Sequence, residues 1–175
     1  MQSAQVSTQF INYFHQRIRG YGLTHQQAWS YGIQECERYG NIQILLQDFN
    51  GERQYKRNKV TKKKDPVLVT RLHPDNIKPE KPGLKYLYPK GYPAKAHPMD
   101  LAVQRFKNGT TGGTVYLNEG FFKALALELL RLESIAFPGI SNIKILDDFW
   151  EYIVRRKLDD IVIIHDGDAR QIRKH

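Results

Sequence analysis

Between residues 114 and 165 short apolar runs alternate with amphipathic stretches, and that alternation limits the fold more than any other feature of the 175 residues. Thr114-Val-Tyr-Leu117 reads as a buried strand. Glu119-Gly120 ends it, and Phe121 to Leu132 carries apolar residues at helical spacing. Ser134-Ile-Ala-Phe137 reads as a second short strand, closed by Pro138-Gly139. Ile145 to Lys157 predicts a second helix. Asp147 and Asp148 lie in its first turn and Arg155, Arg156 and Lys157 in its last, each sign matching the helix dipole. Asp160-Ile-Val-Ile-Ile-His165 then reads as a buried strand running into Asp166-Gly167-Asp168. Strand, helix, strand, helix, strand predicts an α/β fold, a parallel sheet with flanking helices and right-handed crossovers.

In such sheets ligands gather at the carboxyl ends of strands. Glu119 falls just past one strand end, and Asp166 and Asp168 just past another. Two aspartates at i and i+2 on an extended chain point the same way, and Gly167 between them permits a sharp bend. The three carboxylates make an all-oxygen donor set suited to Mg²⁺, which keeps places for water and phosphate. A metal so held would neutralise phosphate oxygens and orient an in-line attack. The plainer alternative is a turn at Asp-Gly-Asp and a helix-start carboxylate at Glu119.

The charge is uneven. Residues 1–100 carry net +8, while residues 101–168 carry net −2. A basic first part, residues 1–110, is therefore predicted to precede the α/β part, residues 111–175. The asymmetry points to a polyanionic partner. The densest run is Arg53, Lys56, Arg57, Lys59, Lys62, Lys63 and Lys64, with no acidic residue between Glu52 and Asp65. It follows the turn signal Asp48-Phe-Asn50-Gly51, itself preceded by the strand-like Ile42-Gln-Ile44-Leu45-Leu46. We read a β-hairpin there with a cationic second arm over Gln54 to Val60. Phosphate contact explains seven charges better than edge protection alone. Upstream, Phe10 to Ile18 and Thr24 to Ile33 read as short helical stretches, with Thr24 as N-cap. Residues 65–100 hold seven of the eight prolines and read as loops and short strands. Lys85-Tyr-Leu-Tyr88-Pro-Lys90 interleaves cations with aromatics, a pattern suited to single-stranded nucleic acid.

The chain offers no run of about 18 apolar residues to span a membrane and no secretory leader at its start. With Cys36 as the one cysteine, an internal disulfide and a multi-cysteine zinc site are excluded, and a cytoplasmic protein is the plain reading. Cys36, in a helical or loop segment, reads as a structural thiol and His165 as a residue packed under a helix. Asn108-Gly-Thr-Thr-Gly-Gly113 reads as a joint between the two parts; it lacks the lysine-serine ending of a phosphate loop.

Val115-Tyr-Leu-Asn-Glu119-Gly120, Ala124-Leu-Ala-Leu127, Ala136-Phe-Pro-Gly139 and Ile161-Val-Ile-Ile-His-Asp166-Gly167-Asp168 together resemble the Toprim domain of bacterial-type DNA primases, topoisomerases and several nucleases. The upstream part, roughly residues 20–100, resembles the basic subdomain preceding Toprim in primases, and still more the primase-like proteins of plasmids, phages and mobile elements. The resemblance implies a Toprim-like parallel sheet after a basic α+β subdomain. It implies metal-dependent nucleotidyl transfer, primer synthesis on single-stranded DNA during replication, with Mg²⁺ or Mn²⁺. Glu119 would act as general acid/base or metal-associated group, and Asp166 and Asp168 as the metal pair. The lysine-rich run with Lys85 and Lys90 would hold template or nucleotide phosphates. A replicative helicase is a possible further partner. A Toprim nuclease and a non-catalytic DNA-binding accessory are the alternatives.

Two departures stand out. Lys123 takes the place of an acidic residue four positions after the motif glutamate, where it either pairs with Glu119 or meets a phosphate. The family's sheet also continues beyond Asp-x-Asp, whereas Arg170 to His175 is short and polar. The strand at 160–165 is therefore expected to lack one neighbour, supplied by more chain or by a second molecule.

Overall fold

A computed structural model describes residues 13–36, 39–58, 60–90, 92, 95–138 and 147–164. The chain forms two compact units. The first comprises residues 1–46 and 53–92, and the second residues 47–52 and 93–175. The expected boundary near residue 110 differs from this division. Residues 93–110 belong with the α/β part, because they supply a strand and a helix to its core.

In the first unit residues 13–20 are helical (α1) and His25–Ser30 form α2. Thr24 caps α2 with a full capping box, its side chain accepting from the Gln27 N–H while the Gln27 side chain takes the Thr24 N–H. The helix ends before Ile33, which opens strand β1, Ile33–Cys36. Cys36 therefore lies on a strand, contrary to the helix or loop expected. Strands β2 (Asn41–Leu45), β5 (Leu68–Arg71) and β6 (Tyr86–Leu87) complete an antiparallel sheet in the order β1-β2-β5-β6. Ile33, Ile42, Ile44 and Val69 of the sheet and Phe14 and Ile18 of α1 are all buried.

The turn expected at residues 48–51 forms, with the Asp48 N–H donating to the Glu52 carbonyl at 3.1 Å and the Gln54 N–H to the Leu46 carbonyl at 3.0 Å, but the cationic arm beyond it does not continue along β2. It makes its own hairpin, β3 (Tyr55–Arg57) against β4 (Lys64–Pro66), and β2 pairs with β1 and β5 instead. Asn58 explains the turn of that hairpin: its side-chain Oδ1 accepts from the Val60 and Thr61 N–H groups, and its side-chain Nδ2 donates to Asp65 at 2.7 Å.

The second unit is the α/β part. Strand β7 (His97–Pro98) leads into helix α3 (Asp100–Lys107). Then follow β8 (Thr114–Glu119), α4 (Phe121–Leu129), β9 (Ser134–Phe137), α5 (Asp147–Arg156) and β10 (Asp160–Ile164). The sheet order is β10-β8-β9-β7. Both β10 and β9 run parallel to β8, and β7 is antiparallel to β9. Residues 47–52 join this unit: the buried Phe49 ring lies 4.8 Å from Tyr152 and 6.1 Å from Phe106. Gly51, at φ 75°, turns the segment where an added Cβ would stand 2.9 Å from a Val103 methyl.

Strand β10 departs from the buried strand expected. Ile161, Val162 and Ile163 are 43, 38 and 52% exposed, and among the described residues β10 lies at the sheet's margin with β8 on one side only. Parallel strands are ordinarily covered on both faces, and free edges usually carry lysine or proline. Residues 161–164 contain neither. In a monomer the outward amides of Ile161 to Ile164 are expected to exchange far faster than those of Val115 to Leu117. Equal protection at both strands would show β10 to be covered.

Candidate active site

The carboxyl ends of the three parallel strands lie level. Glu119 of β8 pairs in register with Phe137 of β9, and Ile164 of β10 with Asn118 of β8. Chain leaving β10 therefore departs one position short of Glu119. Glu119 is half-buried on the last position of β8. Gly120 follows at φ 94°, a conformation that L side chains rarely adopt, and its N–H donates to the Phe137 carbonyl at 3.0 Å. The Glu-Gly pair is thus a geometric requirement: the glycine lets the backbone leave the strand and enter α4 at once, so that the carboxylate stays at the sheet's end. Lys123 is half-buried in the first turn of α4. Asp166 and Asp168 lie outside the described residues, as does His165. Among the described residues no three His, Cys, Asp or Glu side chains gather around a metal position.

At the opposite, amino ends of these strands stands a buried ionic cluster that the sequence did not announce. Glu133 precedes β9, and its carboxylate accepts from Arg105 at 2.7 Å, from Arg156 Nη2 at 2.8 Å and Nε at 3.1 Å, and from the Tyr152 hydroxyl. Glu133 and Arg156 are each 1% exposed. Arg156 also donates to the Thr110 and Gly112 carbonyls and so fixes the glycine-rich segment that enters β8. That segment, predicted to be a joint, is held in place by these bonds. Burial and the neighbouring Glu133 carboxylate push the Tyr152 hydroxyl well above the ordinary phenol range.

A second buried acid, Glu128, closes the other end of α4. Its Oε1 accepts the Leu101 N–H at 3.0 Å and so caps α3, whose N-cap residue Met99 makes no side-chain cap bond. Its Oε2 is buried and has no hydrogen-bond partner among the described residues. Burial pushes this carboxyl up to about 7, aided by Asp100 and Glu133 and opposed by the Leu101 N–H and Arg131. Folding therefore favours the protonated form. Stability from this group is complete below the ordinary carboxylate range and is lost as pH rises through about 7. Glu128→Gln keeps the capping oxygen and removes the charge. At pH 8 it is expected to be more stable than the parent by roughly 1–3 kcal/mol, with the difference vanishing near pH 4. Urea unfolding at both pH values checks this, and equal midpoints at pH 8 would show the carboxylate to be solvated.

The basic residues fall in the first unit, whose sequence holds 15 Lys and Arg against 5 Asp and Glu; the second holds 12 against 13. Charge and fold thus divide together. Arg57, Lys62, Lys63 and Lys64 are exposed on the β3–β4 hairpin and its turn, and Lys56 is half-buried there. Lys59 lies outside the described residues. Arg53 is otherwise engaged: its guanidinium donates to the Leu45 carbonyl at 3.2 Å and the Ser30 carbonyl at 3.0 Å. Lys85 and Lys90 are exposed at either side of β6. Sequence reasoning missed Arg71, which donates to Tyr86 Oη at 2.6 Å and Tyr13 Oη at 3.2 Å. The tyrosine-rich run around Tyr86 was the available signal; Arg71 itself is a lone cation on a strand.

Comparison with solved structures locates this architecture. A DnaG catalytic core superposes with a TM-score of 0.55 at 14% identity, over 88% of this chain and 55% of that one. The fold is similar to that of a DnaG catalytic core. A DnaG primase catalytic domain bound to ssDNA matches with a TM-score of 0.47 at 14% identity, over 97% of this chain and 56% of the other. The chain thus spans just over half the length of these solved structures. No family model and no curated protein matches its sequence. The parallel β8, β9 and β10 with their helices, following a basic antiparallel unit, are the mixed α/β architecture expected.

Proposed function

We propose that the chain is a primase-like Toprim protein that carries out metal-dependent nucleotidyl transfer on a single-stranded DNA template. The observation that carries the reading is the register of β8 with β10. It brings the Glu119 end of one strand beside the strand that leads, two and four residues on, to Asp166 and Asp168. Similarity of the fold to a DnaG catalytic core supports it.

Glu119 fits such a site as a half-buried hard oxygen donor at a strand end, and Asp166 and Asp168 are the residues that would complete the set. Bound there, Mg²⁺ or Mn²⁺ would supply charge neutralisation at the reacting phosphate. Glu119 would accept or return the proton of the attacking hydroxyl, and Lys123 would meet a phosphate oxygen from the first turn of α4. Arg57, Lys62, Lys63, Lys64, Lys85 and Lys90 would hold template phosphates, with neighbouring tyrosines available to stack on bases. Incubation with single-stranded DNA, ribonucleotides and Mg²⁺ or Mn²⁺, followed by product sizing, tests the reading. Extended products support it. Shortened DNA would replace it with a nuclease, and binding without either product with a replication accessory.

The template contact has its own test. Changing Lys62, Lys63 and Lys64 together to Gln is expected to lower the slope of log affinity against log salt by about 3. An unchanged slope would reduce the hairpin to a solvated edge.

A further inference from the structure

Two histidines meet on the first unit. His15 is half-buried on α1 and His25 is exposed at the first position of α2. His15 Nδ1 and His25 Nε2 lie 2.8 Å apart, with ring centroids separated by 4.4 Å. Phe14 flanks both rings, with centroids at 5.9 and 5.7 Å. One proton shared between two imidazole nitrogens is what holds this contact. A divalent transition metal competes for the same two nitrogens once the rings turn to face it, because neutral imidazole is a ligand and metal binding releases protons.

Two nitrogens bound at about 2.0–2.1 Å stand about 2.9 Å apart when cis at a right angle, and about 3.3 Å apart at a tetrahedral centre. The 2.8 Å hydrogen-bond contact is shorter than either, so the rings must turn and part slightly to take up a metal. We propose that His15 and His25 form a two-histidine site for Cu²⁺ or Ni²⁺ that clamps α1 to α2, with water filling the remaining positions. Copper binds more tightly than nickel, following the general order for nitrogen ligands. Zn²⁺ binds more weakly than Cu²⁺ by the same order. Arg17 and Arg19 on α1, together with the amino end of α2, place positive charge nearby and keep the affinity modest.

Titration of the full chain with Cu²⁺ and with Ni²⁺ tests the site, using protein free of any added histidine tag and carrying Cys36→Ser so that no thiol competes. One equivalent of Cu²⁺ is expected to bind with a visible ligand-field band and to raise the unfolding temperature. His25→Gln retains a hydrogen-bonding side chain but no imidazole. It is expected to weaken Cu²⁺ binding about tenfold or more and to abolish the thermal shift, as is His15→Gln, while leaving the metal-free circular dichroism unchanged. Parental affinity in both variants, or loss of binding from His175→Ala alone, would overturn the assignment.

Discussion

Glu119→Gln is expected to lower nucleotidyl transfer by about 10²- to 10⁴-fold, the range associated with loss of a positioned acid or base. The substitution preserves volume and removes only the charge. Gly120 keeps the positive φ that turns the chain into α4, so the strand end should hold its shape. Unfolding temperature and salt-dependent DNA binding should therefore match the parent, which separates a chemical loss from a folding loss. Asp168→Asn is expected to weaken divalent-ion binding in the same fold. Near-parental transfer by Glu119→Gln would remove the strand ends as the seat of the chemistry. Absence of transfer in the parent itself would instead remove the activity while leaving the fold assignment intact.

Glu133→Ala should be the most damaging single change to stability, by about 3–5 kcal/mol. It leaves Arg156 fully buried without its carboxylate, and it also strips partners from Arg105 and the Tyr152 hydroxyl. Breaking one side of a buried pair is costly because the remaining charge stays desolvated. Removing both sides with apolar residues of similar size is far less so. A Glu133→Met, Arg156→Met double variant is accordingly expected to recover much of the loss. Urea unfolding of the two single variants and the double variant decides it. A loss below about 1 kcal/mol in Glu133→Ala would mean that water reaches the cluster.

The run from β8 to β10 was legible because its periodicity, turn residues and helix-end charges all point to the same elements. Helix α3 is less legible: Ala102, Val103 and Phe106 have helical spacing, but its N-cap residue Met99 makes no side-chain cap bond and follows Pro98. The error at β10 has a different origin. An apolar run makes a strand capable of burial, but burial depends on what lies beside and above it, and that information is not local. Glu133 and Arg156 were missed because charged residues are usually exposed, and only the fold reveals that these two are buried together. The Glu-Gly pair was readable as chemistry because it also has a backbone signature, a positive φ that glycine tolerates.

The excursion of residues 47–52 has a consequence for modularity. Sequence on both sides of this segment belongs to the first unit, yet Phe49 completes the core of the second. Gln47 also ties the segment to β7 and α3, through the His97 ring, the Pro98 carbonyl and Asp100. A gene fusion or recombination event joining at residue 93 would carry over the whole parallel sheet and still leave a hole where one phenyl ring belongs. Holes of that kind cost about 3–5 kcal/mol, a large fraction of what a small domain has in reserve. The α/β unit is therefore not transferable as a single stretch of sequence: it must inherit the strand and turn before it, or evolve a replacement for Phe49.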